Sequence, residues 1–349
     1  MKKNSVGSPT LTRRQALAMM GAVSMVPWLD AAPAQAASQL VFASGGGKLE
    51  ETYKKTVFTA FKEKTSNDIV TTANEGAKLK AMVEQGQVEW DMMQGPAEQL
   101  IVFGRQGLFE PIDYSGIDKA NLLDGAANEF FALTDVAAYN IGWNTANLKG
   151  PAPQSWAEVW AYDGRIGLWK RPFQTLEVAL LADGVALADL YPLDIERAFK
   201  SLDKIKSKIV WWERGAQGAQ VFLDGEVDVG AIWNGRVHQP KLDGAPVDFN
   251  FNQAIFVNDA WAVPKGAPHK KEAMELLALA LSPEQQAAFA RELPYGPVNR
   301  AALALLDDKT KAALPSSDEN FAKGRLLNLE FWADNSQAAV EKFNSWLLS

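Results

Sequence analysis

The chain has 349 residues, 47% apolar and 22% charged, with 42 Asp and Glu against 35 Lys and Arg, for a formal charge of −7. That length exceeds what one hydrophobic core usually fills, so two lobes are expected, and the acidic balance argues against nucleic acid as a partner. Cysteine is absent and the histidines are only two, His238 and His269, which excludes disulfides, thiolate metal sites and cysteine nucleophiles and leaves little for acid–base catalysis.

Residues 1–36 read as a cleavable export signal: Lys2 and Lys3, then Thr12-Arg13-Arg14-Gln15, an apolar run from Ala16 to Leu29, and Ala34-Gln35-Ala36 before the expected cut. The run is shorter than the ~20 residues a spanning helix needs and is followed by small residues suited to a peptidase. The paired arginines favour the twin-arginine route over the Sec route, and a periplasmic location is expected. Loss of this segment removes Lys2, Lys3, Arg13, Arg14 and Asp30, leaving 31 basic against 41 acidic residues, a net −10.

From Gln39 onward, short apolar runs alternate with amphipathic stretches, the pattern of a parallel sheet covered by helices. Leu40 to Ala43 is the first expected strand and Ser44-Gly45-Gly46-Gly47 a turn. Leu49, Tyr53, Val57 and Phe61 then recur every four residues along a helix ending near Thr65. Further strands are expected at Ile69–Thr72, Trp90–Met93 and Val136–Trp143, with a helix over 78–84. Gly150-Pro151-Ala152-Pro153 reads as entry into a second lobe, which continues with strands at Ile166–Trp169, Ile209–Trp211 and Val229–Trp233. After Trp261-Ala262-Val263-Pro264 helices predominate, including 270–280 and 282–291, the latter capped by Ser282 with Pro283 in its first turn.

Four segments in fixed order carry a family resemblance: Pro153-Gln154-Ser155-Trp156-Ala157-Glu158-Val159-Trp160, Gly230-Ala231-Ile232-Trp233-Asn234-Gly235, Asp259-Ala260-Trp261-Ala262-Val263-Pro264-Lys265-Gly266-Ala267, and Tyr295-Gly296-Pro297-Val298-Asn299. Over nearly all of 38–349 the chain resembles the spermidine/putrescine-type periplasmic solute-binding proteins of ABC importers. That resemblance implies an α/β fold of the two-lobed type II periplasmic-binding-protein kind, with two crossing segments and a ligand cleft between the lobes. The expected division is lobe 1 over 37–142 plus 262–349 and lobe 2 over 143–261. It also implies a small-molecule solute, permease and ATPase partners at the inner membrane and no cofactor; a monomer is expected.

By the same resemblance Trp233 corresponds to an aromatic wall of the site, Asp259 to a carboxylate that grips an amine, and Tyr295 to a cleft tyrosine. Polyamine binders of this type place an acid and an aromatic where this chain has Ser44 to Gly47, and two carboxylates where it has Arg171 and Gln174. Arg236, beside Trp-Asn-Gly, could hold a carboxylate through two parallel hydrogen bonds, and so could the backbone N–H groups of the turn at Ser44 and Gly46. Trp211 and Trp212 are candidates for a further aromatic wall, one of the pair facing the core because adjacent strand residues point to opposite faces. An amine-bearing solute, polyamine-like or zwitterionic, is therefore expected. Alternatives are a carboxylate solute, ferric ion on the same fold, or a periplasmic hydrolase. Adjacent tyrosines and a Gly-x-Ser-x-Gly motif, which would favour the last two, are absent, and no catalytic or metal-ligating residue is assigned.

Overall fold

Apolar runs punctuated by glycine and polar turns become strands, and four-residue spacing becomes helix, along most of the molecule. The computed structural model describes residues 38–349, so the export signal expected over 1–36 lies outside the described residues. The chain begins with β1 (Gln39–Ser44), then α1 (Gly47–Tyr53) and α2 (Thr59–Thr65), linked by a π-type turn over Lys54–Phe58. Tyr53, Val57 and Phe61 are all buried, as the four-residue spacing predicts. There follow β2 (Asp68–Ala73), α3 (Gly76–Gln85), β3 (Met92–Pro96), α4 (Ala97–Arg105) and β4 (Ala132–Leu133).

The second sheet is built from β5 (Ala137–Asn144), α5 (Trp156–Ala161), β6 (Ile166–Trp169), α6 (Thr175–Ala182), α7 (Ile195–Asp203) and β7 (Ile209–Trp212). It is completed by α8 (Gly215–Leu223), β8 (Val229–Trp233), α9 (Asn234–Leu242) and β9 (Val247–Val257). The chain then returns through β10 (Asp259–Ala262), α10 (Lys270–Ala280), α11 (Pro283–Glu292), α12 (Asp308–Ala312) and α13 (Asp318–Phe321), and ends with β11 (Arg325–Leu326) and α14 (Leu329–Leu348).

The strands form two mixed sheets, ordered β2-β1-β3-β10-β4 and β11-β9-β5-β8-β6-β7. In the first, β1 runs parallel to β2 and β3 and β10 antiparallel to β3; in the second, β6 runs parallel to β7 and β8 while β5 is antiparallel to β8 and β9. Each sheet has its own core, one around Phe42, Phe61, Trp90 and Trp261 and the other around Tyr139, Trp156, Phe222 and Trp332. The passages between sheets run side by side at Thr134–Val136 and at Asn258. Thr134 N–H donates to Asp259 O at 2.9 Å, and Asn258 Nδ2 donates to Asp135 O at 2.8 Å.

These passages differ from the expected divisions at 142/143 and 261/262, which fall within β5 and β10. A strand buried along its whole length, as β5 is, has the same apolar pattern whichever sheet it joins. The C-terminal residues differ as well. Rather than staying with the first lobe, the chain enters the second sheet a second time, where Arg325 and Leu326 pair with Ile255 and Phe256. From there α14 buries Trp332, Ala339, Phe343 and Trp346 in the second core.

Candidate functional site

In open α/β sheets solutes bind beyond the carboxyl ends of strands, where connections diverge. In the first sheet those ends are the turn after β1, the start of α4 after β3, and Asp259 at the head of the antiparallel β10. Gly46 and Gly47 turn the chain with φ of 73° and 67°, conformations that suit glycine because a Cβ would clash with the backbone. Ser44, which is buried, donates its hydroxyl to Glu50 and accepts from Gly46 N–H at 3.0 Å. Burial alone would raise Glu50, but donation by Lys54, Ser44 and Thr71 holds its carboxyl below the usual range. The Ser44 hydroxyl is thus committed to a carboxylate of the protein itself.

Gln94 joins this turn to the crossover. Its Oε1 accepts from Gly45 N–H at 3.1 Å and its Nε2 donates to Asp259 Oδ1 at 2.6 Å. Behind Asp259 stands Asp135, wholly buried, which accepts from Tyr53 Oη at 3.1 Å. Burial pushes Asp259 up to about 6 against the opposing effects of Gln94 and Arg236, and burial together with the charge of Asp259 pushes Asp135 well above the carboxylate range.

Tyr295 comes from the segment after α11, held at the crossover by a two-way backbone pairing of Gly296 with Val136 at 2.7 and 2.8 Å. Its ring lies against Gly235 in α9 so closely that a Cβ on Gly235 would stand 2.2 Å from Tyr295 Cε1. Asn234 fixes the same junction, accepting from Ala138 N–H at 3.0 Å and donating to Pro294 O at 2.6 Å. Burial and the nearby Asp259 raise the Tyr295 phenol, so it stays a neutral hydroxyl in ordinary buffers.

Aromatic rings line the second-sheet side. Trp233, at the end of β8, meets Trp169 edge-on at 4.9 Å and Trp212 at 5.1 Å, with Tyr139 at 6.0 Å. Trp169 and Trp233 are half-buried whereas Trp212 is fully enclosed. Trp211 lies on the other face of β7, against Phe343 and Trp346 of α14 at 5.8 and 6.2 Å. The expected aromatic-wall role of Trp211 is therefore corrected: strand alternation turns it away, and its neighbour Trp212 stands behind the wall.

Arg236, in the first turn of α9, is exposed and forms no salt bridge among the described residues. Its charge acts on both Asp259 and Tyr295. Gln174 occupies the position before α6 with φ of 55° and only 2% of its surface exposed, and its Oε1 has no hydrogen-bond partner. Three residues on, buried Glu177 accepts from Tyr191 Oη at 2.8 Å and Trp332 Nε1 at 2.7 Å through Oε1, while Oε2 has no partner.

Glu98 escaped the sequence reading. It sits in the first turn of α4, directly after β3, with Oε2 enclosed and unpartnered. Burial, reinforced by the charges of Asp259 and Glu177, pushes its carboxyl up to about 7. An acid in the first turn of a helix resembles any dipole-compensating surface residue, so no signal in the sequence distinguishes it. Beside the site a groove of about 1290 Å³ reaches from Lys48 to Lys323; Arg236 and Tyr295 line it, but Trp233, Asp259 and Gln174 do not.

Two α/β lobes, paired crossovers and charged and aromatic side chains gathered where the strand ends meet define a substrate-binding protein of the type II periplasmic kind. The description of the bacterial extracellular solute-binding proteins matches residues 56–323, and the chain belongs to that family. A gamma-aminobutyric acid-binding protein of Pseudomonas aeruginosa is 36% identical over 328 residues, covering 90% of this chain and 93% of the relative. The Escherichia coli spermidine/putrescine-binding periplasmic protein is 27% identical over 223 residues, 59% and 64% of the two chains. A solved GABA receptor superposes with a TM-score of 0.84 at 34% identity, covering 88% of this chain and 97% of that one. The protein is thus the substrate-binding component of an ABC importer, and family membership implies a small-molecule ligand, a permease partner and a periplasmic location.

Proposed function

We propose that the protein captures a small zwitterionic amine of the ω-amino acid class, of about the length of γ-aminobutyrate, and delivers it to the importer. The observation that carries this reading is the relation of Asp259 to Arg236. The Arg236 charge acts on Asp259 without closing a salt bridge, and the half-buried ring of Trp233 and the Tyr295 hydroxyl accompany them. An ammonium would meet Asp259 and the aromatic faces, and a carboxylate would take the fork of Arg236. The replacement of two expected carboxylates by Arg171 and Gln174 also speaks against a second amine end. The names of the two GABA-binding relatives agree with a solute carrying one charge of each sign. Maturation after Ala36, twin-arginine export and action as a monomer complete the proposal.

Calorimetry on residues 37–349, unfolded and refolded to remove carried-over solute, tests it. 4-Aminobutanoate should bind in the micromolar range or tighter, whereas butanoate and putrescine should bind at least tenfold more weakly, about 1.4 kcal/mol per factor of ten. Preference for putrescine or spermidine would overturn the zwitterion in favour of a polyamine, and preference for butanoate would remove the amine from the reading.

A further inference from the structure

Resting on the reading of the solute as a zwitterion whose carboxylate meets Arg236, we propose that Gly215 is a specificity-determining position, its missing side chain leaving the room in which Arg236 and Trp233 lie side by side. A Cβ built at Gly215 would stand 2.9 Å from Arg236 Nε and 3.1 and 3.2 Å from Trp233 Cζ3 and Cε3. One point at the start of α8 is thus met by both the cation and the ring assigned to the solute, which come from the start of α9 and the end of β8.

The backbone at Gly215 gives no reason of its own for glycine. Its φ is not positive, and glycine makes a helix less stable than alanine does. Nor is the segment free to withdraw. Lys170 N–H donates to Trp212 O at 2.9 Å, Trp169 Nε1 donates to Glu213 O at 3.2 Å, and Glu213 N–H donates to Gln217 Oε1 at 2.9 Å. With the turn from β7 into α8 tied in this way, a side chain at 215 would displace its neighbours instead. Arg236 is the one that yields, being exposed and forming no salt bridge among the described residues. Non-bonded heavy atoms settle about 3.5 Å apart, so Nε would withdraw by roughly 0.6 Å. A guanidinium that takes a carboxylate through two parallel hydrogen bonds must stand within about 0.5 Å of its productive place. Such a shift disturbs the fold little and the carboxylate clamp greatly.

Gly218, three residues further along α8, supplies the contrast. A Cβ there would stand 2.9 to 3.1 Å from Cδ2, Cε3 and Cε2 of Trp212. Trp212 is fully enclosed, so its ring has no solvent to retreat into. Gly218 is a packing position, whereas Gly215 governs recognition through Arg236.

Calorimetry and thermal melting of residues 37–349 separate these roles. Gly215→Ala should melt at or above the wild-type temperature yet bind 4-aminobutanoate about tenfold or more weakly, whereas Gly218→Ala should melt lower. Butylamine, which lacks the carboxylate, should lose less than about threefold in Gly215→Ala. Arg236→Gln should weaken 4-aminobutanoate by roughly ten- to a hundredfold, as loss of a charged hydrogen-bond donor does. Adding Gly215→Ala to it should remove less than about threefold more, because a position that acts through Arg236 then has nothing left to disturb. An unchanged dissociation constant for 4-aminobutanoate in Gly215→Ala, an equal loss for butylamine, or full additivity in the double variant overturns the role of Gly215 and leaves the zwitterion reading intact. Melting of Gly215→Ala lowered as in Gly218→Ala, or failure of that variant to fold, does the same by making Gly215 a packing position too. Wild-type protein that binds butylamine as tightly as 4-aminobutanoate instead overturns the zwitterion reading, and the proposal with it.

Discussion

Glu98 illustrates how one enclosed side chain can make the stability of the protein depend on pH. Its carboxyl is raised to about 7, so the folded state holds its proton more tightly than the unfolded chain does. The resulting stability is complete below the unfolded value near 4 and is lost as pH rises through about 7. Asp259, raised to about 6, behaves alike over a lower window. Each contributes on the order of 1 to 3 kcal/mol. In thermal unfolding without solute, Glu98→Gln should match the wild type near pH 5 and exceed it at pH 8, where the wild-type carboxylate is ionised with its enclosed Oε2 unpartnered. Solute affinity should move the other way, falling as pH drops from 8 to 5, because an ammonium seeks the ionised Asp259. Parallel pH profiles of wild type and variant would show that Glu98 is not an enclosed carboxyl.

At the scale of elements, the junction of α9 with the segment after α11 is the tightest contact around the site. Gly235→Ala would drive a methyl group into the Tyr295 ring, and overpacking of this kind costs about 1 to 3 kcal/mol. The variant should melt several degrees lower and bind solute more weakly, because Tyr295 must move; a protein with unaltered melting and affinity would show that the ring yields freely. Much of this architecture was legible beforehand. The four-residue spacing of Leu49, Tyr53, Val57 and Phe61 located the first helical stretch, and β6 and β8 occur at the expected residues. Ser282 does cap α11, accepting from Gln285 N–H. Less legible was anything that depends on which neighbour a face meets. Alternation showed that Trp211 and Trp212 point apart but not which of them α14 would cover, and the two residues of β11 are too few to form a pattern. Glu98 and the placement of Gln174 come from tertiary enclosure, which periodicity does not encode.

Across the whole molecule, α14 is the element that most exceeds its apparent local role. Its aromatic residues fill the second core, and its first turns meet the first lobe through Arg105 of α4, which bonds Glu330 and reaches Asp334 at 2.5 Å. Those exposed ion pairs contribute little, typically below about 1 kcal/mol. Deleting Trp332, Phe343 and Trp346 is another matter, at about 3 to 5 kcal/mol for each large aromatic. The total rivals the roughly 5 to 15 kcal/mol that holds a whole domain folded. A chain ending at Gly324 should therefore be insoluble or should lose cooperative unfolding of the second lobe, as followed by calorimetric melting. A soluble truncated protein with the parental transition would show that the second core closes without the helix.

Asp259 follows Asn258 in the passage between sheets, and its backbone is tied to Thr134 in the neighbouring passage. A charge at that place sits at the fulcrum of the molecule, where a lever moves least and directs most. If a solute is gripped there as proposed, a small rotation about this pivot would carry the far rims of both lobes through a longer arc than the passages themselves. On that proposal, selection of the solute and amplification of its arrival would be vested in the same few atoms.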